Sequence, residues 1–449
     1  MTMRSFKKGL LILAGVVLLM VAGLWFYASS TTPTPALAAT SAGDDAALVD
    51  TGRYLAIAGD CAACHSAKDG KPYAGGVPLA SPIGAIYSSN ITPDPANGIG
   101  KYSLDDFNRA LRYGIKPNGE TLYPAMPYPS YAKMSDQDVR ALYAYFMHGV
   151  APVTTANRGD GISWPLSIRW PLGIWRKSFA PASAVEPVNP AKYKDAAVAR
   201  GAYLVQSLGH CGSCHTPRAL TMQEVSLDES QATYLSGGQV IDGWFAVNLR
   251  GNDAAGLGRW SAQDIVDVLK SARNTHSAVI GQPMADVVVH SMQDLNEPDL
   301  LAIAAYLKTL PPSTSDSSHD AHFAANPDTA KALAAGVESG RGAQLYLDNC
   351  AACHKSSGEG STRIFPAIAG NSSVLASNPA SLIRIVLGGS AMPATKTAPS
   401  NIGMPGFAER LSDDEAAQLI TFIRQSWGNA AGDVTSSEVA TVRSALQKK

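Results

Sequence analysis

The sequence has little of what most functional classes require. Only six of its 449 residues are cysteine, and all six fall in three short segments, so none is left over for a disulfide framework. Charged residues make up 16%, and 36 Lys and Arg against 37 Asp and Glu give a net charge of −1. With the basic residues scattered, that balance argues against nucleic acid as a partner. No Gly-x-Gly-x-x-Gly follows a strand pattern, no P-loop occurs, and no hydrolase-type nucleophile motif is found. Alternation of strand type is scarce, and no βα rhythm runs through the chain. After residue 28 no apolar run reaches the about 18 residues needed to cross a membrane. The length itself allows two to four domains, because single cores stop growing well below it.

What is present starts at the N-terminus. Arg4, Lys7 and Lys8 precede "GLLILAGVVLLMVAGLWFYA", residues 9–28. Basic residues before an apolar run mark a segment whose start stays inside while the rest is exported. Two fates are open. Ala36-Leu37-Ala38 fits a cleavage site for a signal peptide. The run is also long enough to span about 30 Å of hydrocarbon as an anchor. In both cases the remainder is expected on the periplasmic face of the cytoplasmic membrane.

The rest is one unit repeated three times. "GDCAACHSAK", "GHCGSCHTPR" and "DNCAACHKSS" carry the cysteines, and Cys61, Cys211 and Cys350 are 150 and 139 residues apart. Before the motifs stand Gly52-Arg53-Tyr54-Leu55, Arg200-Gly201-Ala202-Tyr203-Leu204 and Arg341-Gly342-Ala343-Gln344-Leu345. After them come "SLDDFNRALRYG", "SAQDIVDVLKSAR" and "NPASLIRIVLGG", then "SDQDVRALYAYF", "NEPDLLAIAAYL" and "SDDEAAQLITFI". In the last set Ser135, Asn296 and Ser412 are good N-caps, and Asp138, Asp299 and Glu415 follow three residues later, as in a capping box. Apolar residues then recur at helical spacing. Each unit therefore reads helix, Cys-x-x-Cys-His loop, helix, irregular loop, helix, and the fold is expected to be mostly α with long loops.

Cys-x-x-Cys-His is the attachment signature of c-type haem. Cys61 and Cys64, Cys211 and Cys214, and Cys350 and Cys353 are placed to add to the two vinyl groups of a porphyrin. His65, His215 and His354 then lie beneath the ring as iron ligands. Three covalently attached haems c are expected. A zinc site would need a second ligand pair at zinc spacing, and none is evident. A thioredoxin-like pair would need a βαβ setting, also absent. Thioether ligation on the opposite face would suit electron transfer. Met126 is chosen over Met134 because it stands beside Pro127 in a loop. Met404 is chosen over Met392 because Met404-Pro405 repeats that pairing. Met284 is chosen over Met292, with His276 and His290 left as a bis-histidine alternative in that unit alone. A backbone carbonyl to accept the other ring N–H of His354 is sought at Pro366.

Beyond these residues, the chain resembles the three-haem cytochrome c subunits of membrane-bound, quinone-reducing dehydrogenases, including those for alcohol, gluconate and fructose. The resemblance covers residues 45–430 and rests on "YAGGVPLASPIGAIYSSNITPDPANGIGKYS", "TLYPAMPYPSYAKMSDQDVRALYAYFMHGV", "ISWPLSIRWPLGIWRKSFAP", "HCGSCHTPR" and "LSDDEAAQLITFIRQSWGN". It implies three tandem class I-like cytochrome c domains at 45–158, 193–312 and 335–430. A signal or anchor segment occupies 1–44, a Trp-rich linker 159–192, a polar linker 313–334 and a tail 431–449. It supports Met126, Met284 and Met404 as axial ligands. It implies a separate catalytic subunit of pyrroloquinoline quinone, flavin or molybdenum type, oxidising an alcohol, sugar, sugar acid or aldehyde. Electrons would pass from that subunit to ubiquinone in the membrane. The alternatives are a free-standing shuttle to a terminal oxidase or peroxidase, and a haem enzyme with an open iron. Trp164, Trp170 and Trp175 in the first linker are read as packing between haem units, with docking to a partner or membrane as the other reading.

Overall fold

The computed structural model describes residues 3–30, 32–37, 45–181, 186–276, 280–314, 322–337 and 340–447. The cleavage position after Ala38 and the centre of the polar linker, 315–321, lie outside them. Helices dominate, as the sequence predicted, and among the described residues the strands are short, forming one three-stranded and two two-stranded sheets. The chain divides into two compact units, one of Met1–Ala56 with Cys64–Val188 and one of Ile57–Ala63 with Asn189–Lys449.

In the first unit the helix Met3–Ser29 carries the apolar run. The helix Ala46–Ala58 meets Asp136–Ala144 at Gly52, where a Cβ would stand 1.9 Å from the carbonyl oxygen of Ala141. Only a glycine lets two helix backbones approach so closely. The helix Leu104–Tyr113 is started by a full capping box between Ser103 and Asp106, which satisfies two otherwise unpaired N–H groups. A three-stranded antiparallel sheet joins Pro78–Ser81, Gly84–Tyr87 and Gly161–Ile162. The helix Pro171–Phe179 follows.

The second unit repeats the crossing twice. The helices Ala196–Tyr203 and Glu297–Thr309 meet at Gly201, whose Cβ would lie 1.9 Å from the Ala302 oxygen. Arg200 grips both carboxylate oxygens of Asp299 there at 2.8 Å each, the fork geometry that makes Arg–carboxylate pairs strong. The helices Arg341–Asn349 and Asp413–Gln425 meet at Gly342, with 2.6 Å between its Cβ position and the Gln418 oxygen. The helix Ala262–Ser271 starts with a full box of Ser261 and Asp264. Ser135, Asn296 and Ser412 all cap as expected, each side chain accepting from the backbone N–H three residues on, and Ser412 with Glu415 closes both halves of the box.

Residues 436–447, which no sequence signal marked, form the helix Ser436–Gln447. It belongs to the fold: Val439 sits in the core around Leu419 and Ile420, and Arg443 bonds Asp413 and the carbonyls of Ala408 and Leu411. The Trp-rich connector divides: Trp164, Leu166 and Ile168 are exposed, whereas Trp170 and Trp175 are partly buried and Trp175 packs edge-on against Tyr128.

Candidate functional site

Each Cys-x-x-Cys-His motif folds as a single tight helical turn, in Cys61–His65, Gly212–His215 and Ala351–His354. A turn of this kind brings residues three and four apart to one side, so the two thiols and the imidazole share a face. None of the six cysteines is paired in a disulfide. Burial pushes the Cys211 and Cys350 thiols up to about 12. A redox-active Cys-x-x-Cys pair shows the reverse, a depressed thiol. Among the described residues no group of three or more His, Cys, Asp or Glu converges as a metal site.

The three histidines are held in one way. Nδ1 of His65 lies 2.7 Å from the carbonyl oxygen of Ser89, Nδ1 of His215 2.7 Å from that of Val247, and Nδ1 of His354 3.0 Å from that of Pro366. Pro366 is the partner sought from the sequence. An N–H committed to a carbonyl through Nδ1 fixes the tautomer and leaves Nε2 as the free lone pair, the arrangement a metal-ligating histidine needs. Removal from water lowers the pKa of all three rings, which favours the neutral imidazole that binds iron.

A glycine completes each clamp. Gly75, Gly237 and Gly360 donate their N–H to the carbonyls of His65, His215 and His354 at 2.7, 2.7 and 3.1 Å. All three have positive φ, at 73°, 78° and 62°. A Cβ on Gly75 would meet the Ser89 backbone at 2.4 Å, one on Gly237 the Ala246 oxygen at 2.8 Å, and one on Gly360 the Phe365 oxygen at 2.3 Å. Each glycine thus lets the histidine turn and the clamping strand of chain pass in contact. Ser89, Val247 and these glycines escaped the sequence reading. The paired glycines of "YAGG" and "LSGG" were the available signal, and the third unit lacks them.

The methionines separate by burial. Met134, Met292 and Met392 are buried in the core, whereas Met126, Met284 and Met404 are only partly buried. Met126 lies in the loop before Tyr128–Tyr131. Met404 lies on the short strand Gly403–Met404, paired with Ser390. Met284 was expected in a loop and instead stands in the first turn of the helix Gln282–His290. Pro283 at the second position of that helix supplies the reason, since proline is preorganised for a first turn. Of the two spare histidines of this unit, His276 is engaged through its Nε2, 3.4 Å from Asp264, and stacks on Trp260 at 5.4 Å, while His290 Nδ1 lies 3.0 Å from the Asp286 carbonyl of its own helix.

Helical units that each hold a Cys-x-x-Cys-His turn and a carbonyl-clamped histidine define a c-type cytochrome, and their donor set fits covalently bound haem c. The family model for cytochrome c matches residues 49–149 and 339–427. The chain is 53% identical over 412 residues to the gluconate 2-dehydrogenase cytochrome c subunit of Pantoea cypripedii, covering 91% of this chain and 92% of that one. It is 49% identical over 403 residues to the alcohol dehydrogenase (quinone) cytochrome c subunit of Gluconobacter oxydans, covering 89% and 83%. It is 37% identical over 448 residues to the fructose dehydrogenase cytochrome subunit of Gluconobacter japonicus, covering 96% and 88%. The chain belongs to the family of dehydrogenase cytochrome c subunits.

Proposed function

We propose that this electron-transfer subunit carries three haems c and passes electrons from a catalytic dehydrogenase subunit to ubiquinone, on the periplasmic face of the cytoplasmic membrane. Cys61 and Cys64, Cys211 and Cys214, and Cys350 and Cys353 form the thioether links. His65, His215 and His354 would hold the iron through Nε2, and Met126, Met284 and Met404 would supply the other protein ligand in each unit. The bound groups supply reversible one-electron transfer. The protein sets their ligands and burial. The observation that carries this reading is the clamp repeated three times on His65, His215 and His354. Substrate oxidation is assigned to the partner, as the relatives' names describe subunits of gluconate, alcohol and fructose dehydrogenases.

The test is purification from detergent-solubilised membranes, followed by a ubiquinone-reduction assay with the dehydrogenase substrates. Co-purification with a large catalytic subunit and quinone reduction by the complex is the expected result. A chain that purifies alone and reduces an oxidase or peroxidase instead would make it a free-standing shuttle.

A further inference from the structure

Within the first unit, the end of the apolar helix is built into the fold. The span Lys7–Ser29 is long and apolar enough to cross a membrane, and from Leu10 to Tyr27 its large apolar side chains are exposed. Its last turn behaves differently. Ala28 is buried, and the helix Pro171–Phe179 meets it at Gly173, where a Cβ would stand 2.4 Å from the Ala28 oxygen. One turn later Lys177 closes the helix end. Its Nζ donates to the carbonyls of Tyr27 and Ser30 and to the Ser30 hydroxyl, the last two at 3.0 and 2.6 Å. It also lies 4.7 Å from the centre of the Tyr27 ring. The final carbonyls of a helix lack partners within it and carry partial negative charge, so an ammonium there meets both needs. Arg176 donates to Thr32 Oγ1 at 2.8 Å, Asn108 donates to the Pro35 carbonyl at 3.3 Å, and Leu37 is buried.

The connector that supplies Gly173 and Lys177 also carries an apolar surface. Trp164 is 80% exposed, and Leu166, Ile168 and Phe179 are exposed with it. Trp164, Leu166 and Ile168 lie three to seven residues ahead of the helix Pro171–Phe179, which contacts Ala28 and Tyr27 at the exit of the span. That is the level where hydrocarbon gives way to headgroups, and where tryptophan concentrates. An apolar cluster facing water is uncommon in a soluble chain. Beside the end of a membrane span, a bilayer is the occupant that continues the same apolar contact.

We propose that the segment Lys7–Ser29 is a permanent membrane anchor locked onto the helix Pro171–Phe179, and that the apolar surface around Trp164 sits in the headgroup layer of the leaflet where the span ends. A leader removed after export would leave Gly173 and Lys177 without their partners. The anchor orients with Arg4, Lys7 and Lys8 on the inner side, which puts the connector on the exported side.

The proposal is independent of the haem assignments, and two measurements on the full chain test it. In the first, membranes holding the protein are extracted with alkaline carbonate and the N-terminus of the chain is sequenced. A start ahead of Lys7 with retention in the membrane pellet is expected. A start at Ala39 with release into the supernatant overturns the anchor. In the second, spin labels are placed at Trp164→Cys and, as a control, at Leu220→Cys, a position 99% exposed in the second unit. Both chains are reconstituted in vesicles of phosphatidylethanolamine and phosphatidylglycerol, with covalent haem content reporting folding. The label at 164 should collide more with dissolved oxygen than with an aqueous nickel chelate, and the label at 220 the reverse. Equal nickel exposure at the two positions overturns the headgroup seat.

Discussion

A Cβ on Gly201 would stand 1.9 Å from the carbonyl oxygen of Ala302. The same approach recurs at Gly52 and Ala141, and at Gly342 and Gln418, so one helix crossing is built three times. Gly201→Val should lower stability by about 1–3 kcal/mol or more, because the obstacle is backbone and not a flexible side chain. Thermal unfolding of the haem-loaded chain checks this, with Gly159→Val as a control, since nothing lies within 4 Å of that position. Equal melting of the two variants would show that the crossing is not tightly packed.

Met404→Ala and Met392→Ala should differ in kind. Loss of Met404, partly buried on its strand, should open one iron, give a high-spin signal and let carbon monoxide bind the reduced protein. Loss of Met392, buried in the core, should cost about 2–5 kcal/mol of stability and leave the spin state alone. If the high-spin signal appears with Met392→Ala only, the ligand in the third unit is wrongly assigned.

Cys211→Ser removes one thioether link from the second motif. The haem there should attach poorly and the whole chain should accumulate less, because a buried porphyrin contributes apolar contact that the core lacks without it. Haem staining and immunoblotting of the same membranes separate the two effects. Unchanged staining would mean that one thiol suffices.

Asp60 gives the chain a pH dependence of unusual sign. Burial, then the neighbouring Asp286 carboxylate, pushes Asp60 up to about 8, and its Oδ1 is buried without a hydrogen-bond partner. Between about 4 and about 8 the folded chain keeps a proton here that the unfolded chain releases, so stability falls as pH rises through that window and levels off above it. Asp60→Asn should flatten this fall. Urea midpoints at about pH 5 and about pH 8 measure it, and an unchanged difference between them would remove Asp60 as the source.

Much of this was legible in the sequence because it rests on local chemistry. Ser135, Asn296 and Ser412 announce helix starts through side chains that bond three residues away. Cys-x-x-Cys-His announces its cofactor because both thiols and the imidazole must share one turn. Ser89 and Val247 were not legible, because a backbone carbonyl clamps a histidine whatever side chain it carries. Gly75, Gly237 and Gly360 show their purpose only once two distant stretches meet. The helix Ser436–Gln447 was passed over because its apolar positions are sparse, and its place is fixed by tertiary partners such as Asp413. Trp164 was misjudged because composition tells that a connector is apolar but not which way it faces.

The central claim is that each of the three motifs holds a haem, and a pyridine haemochrome assay on the denatured, purified chain tests it most directly. Three haems per polypeptide that survive denaturation is the predicted result. Two or fewer would contradict the account and leave at least one carbonyl-clamped histidine without the group that its geometry fits.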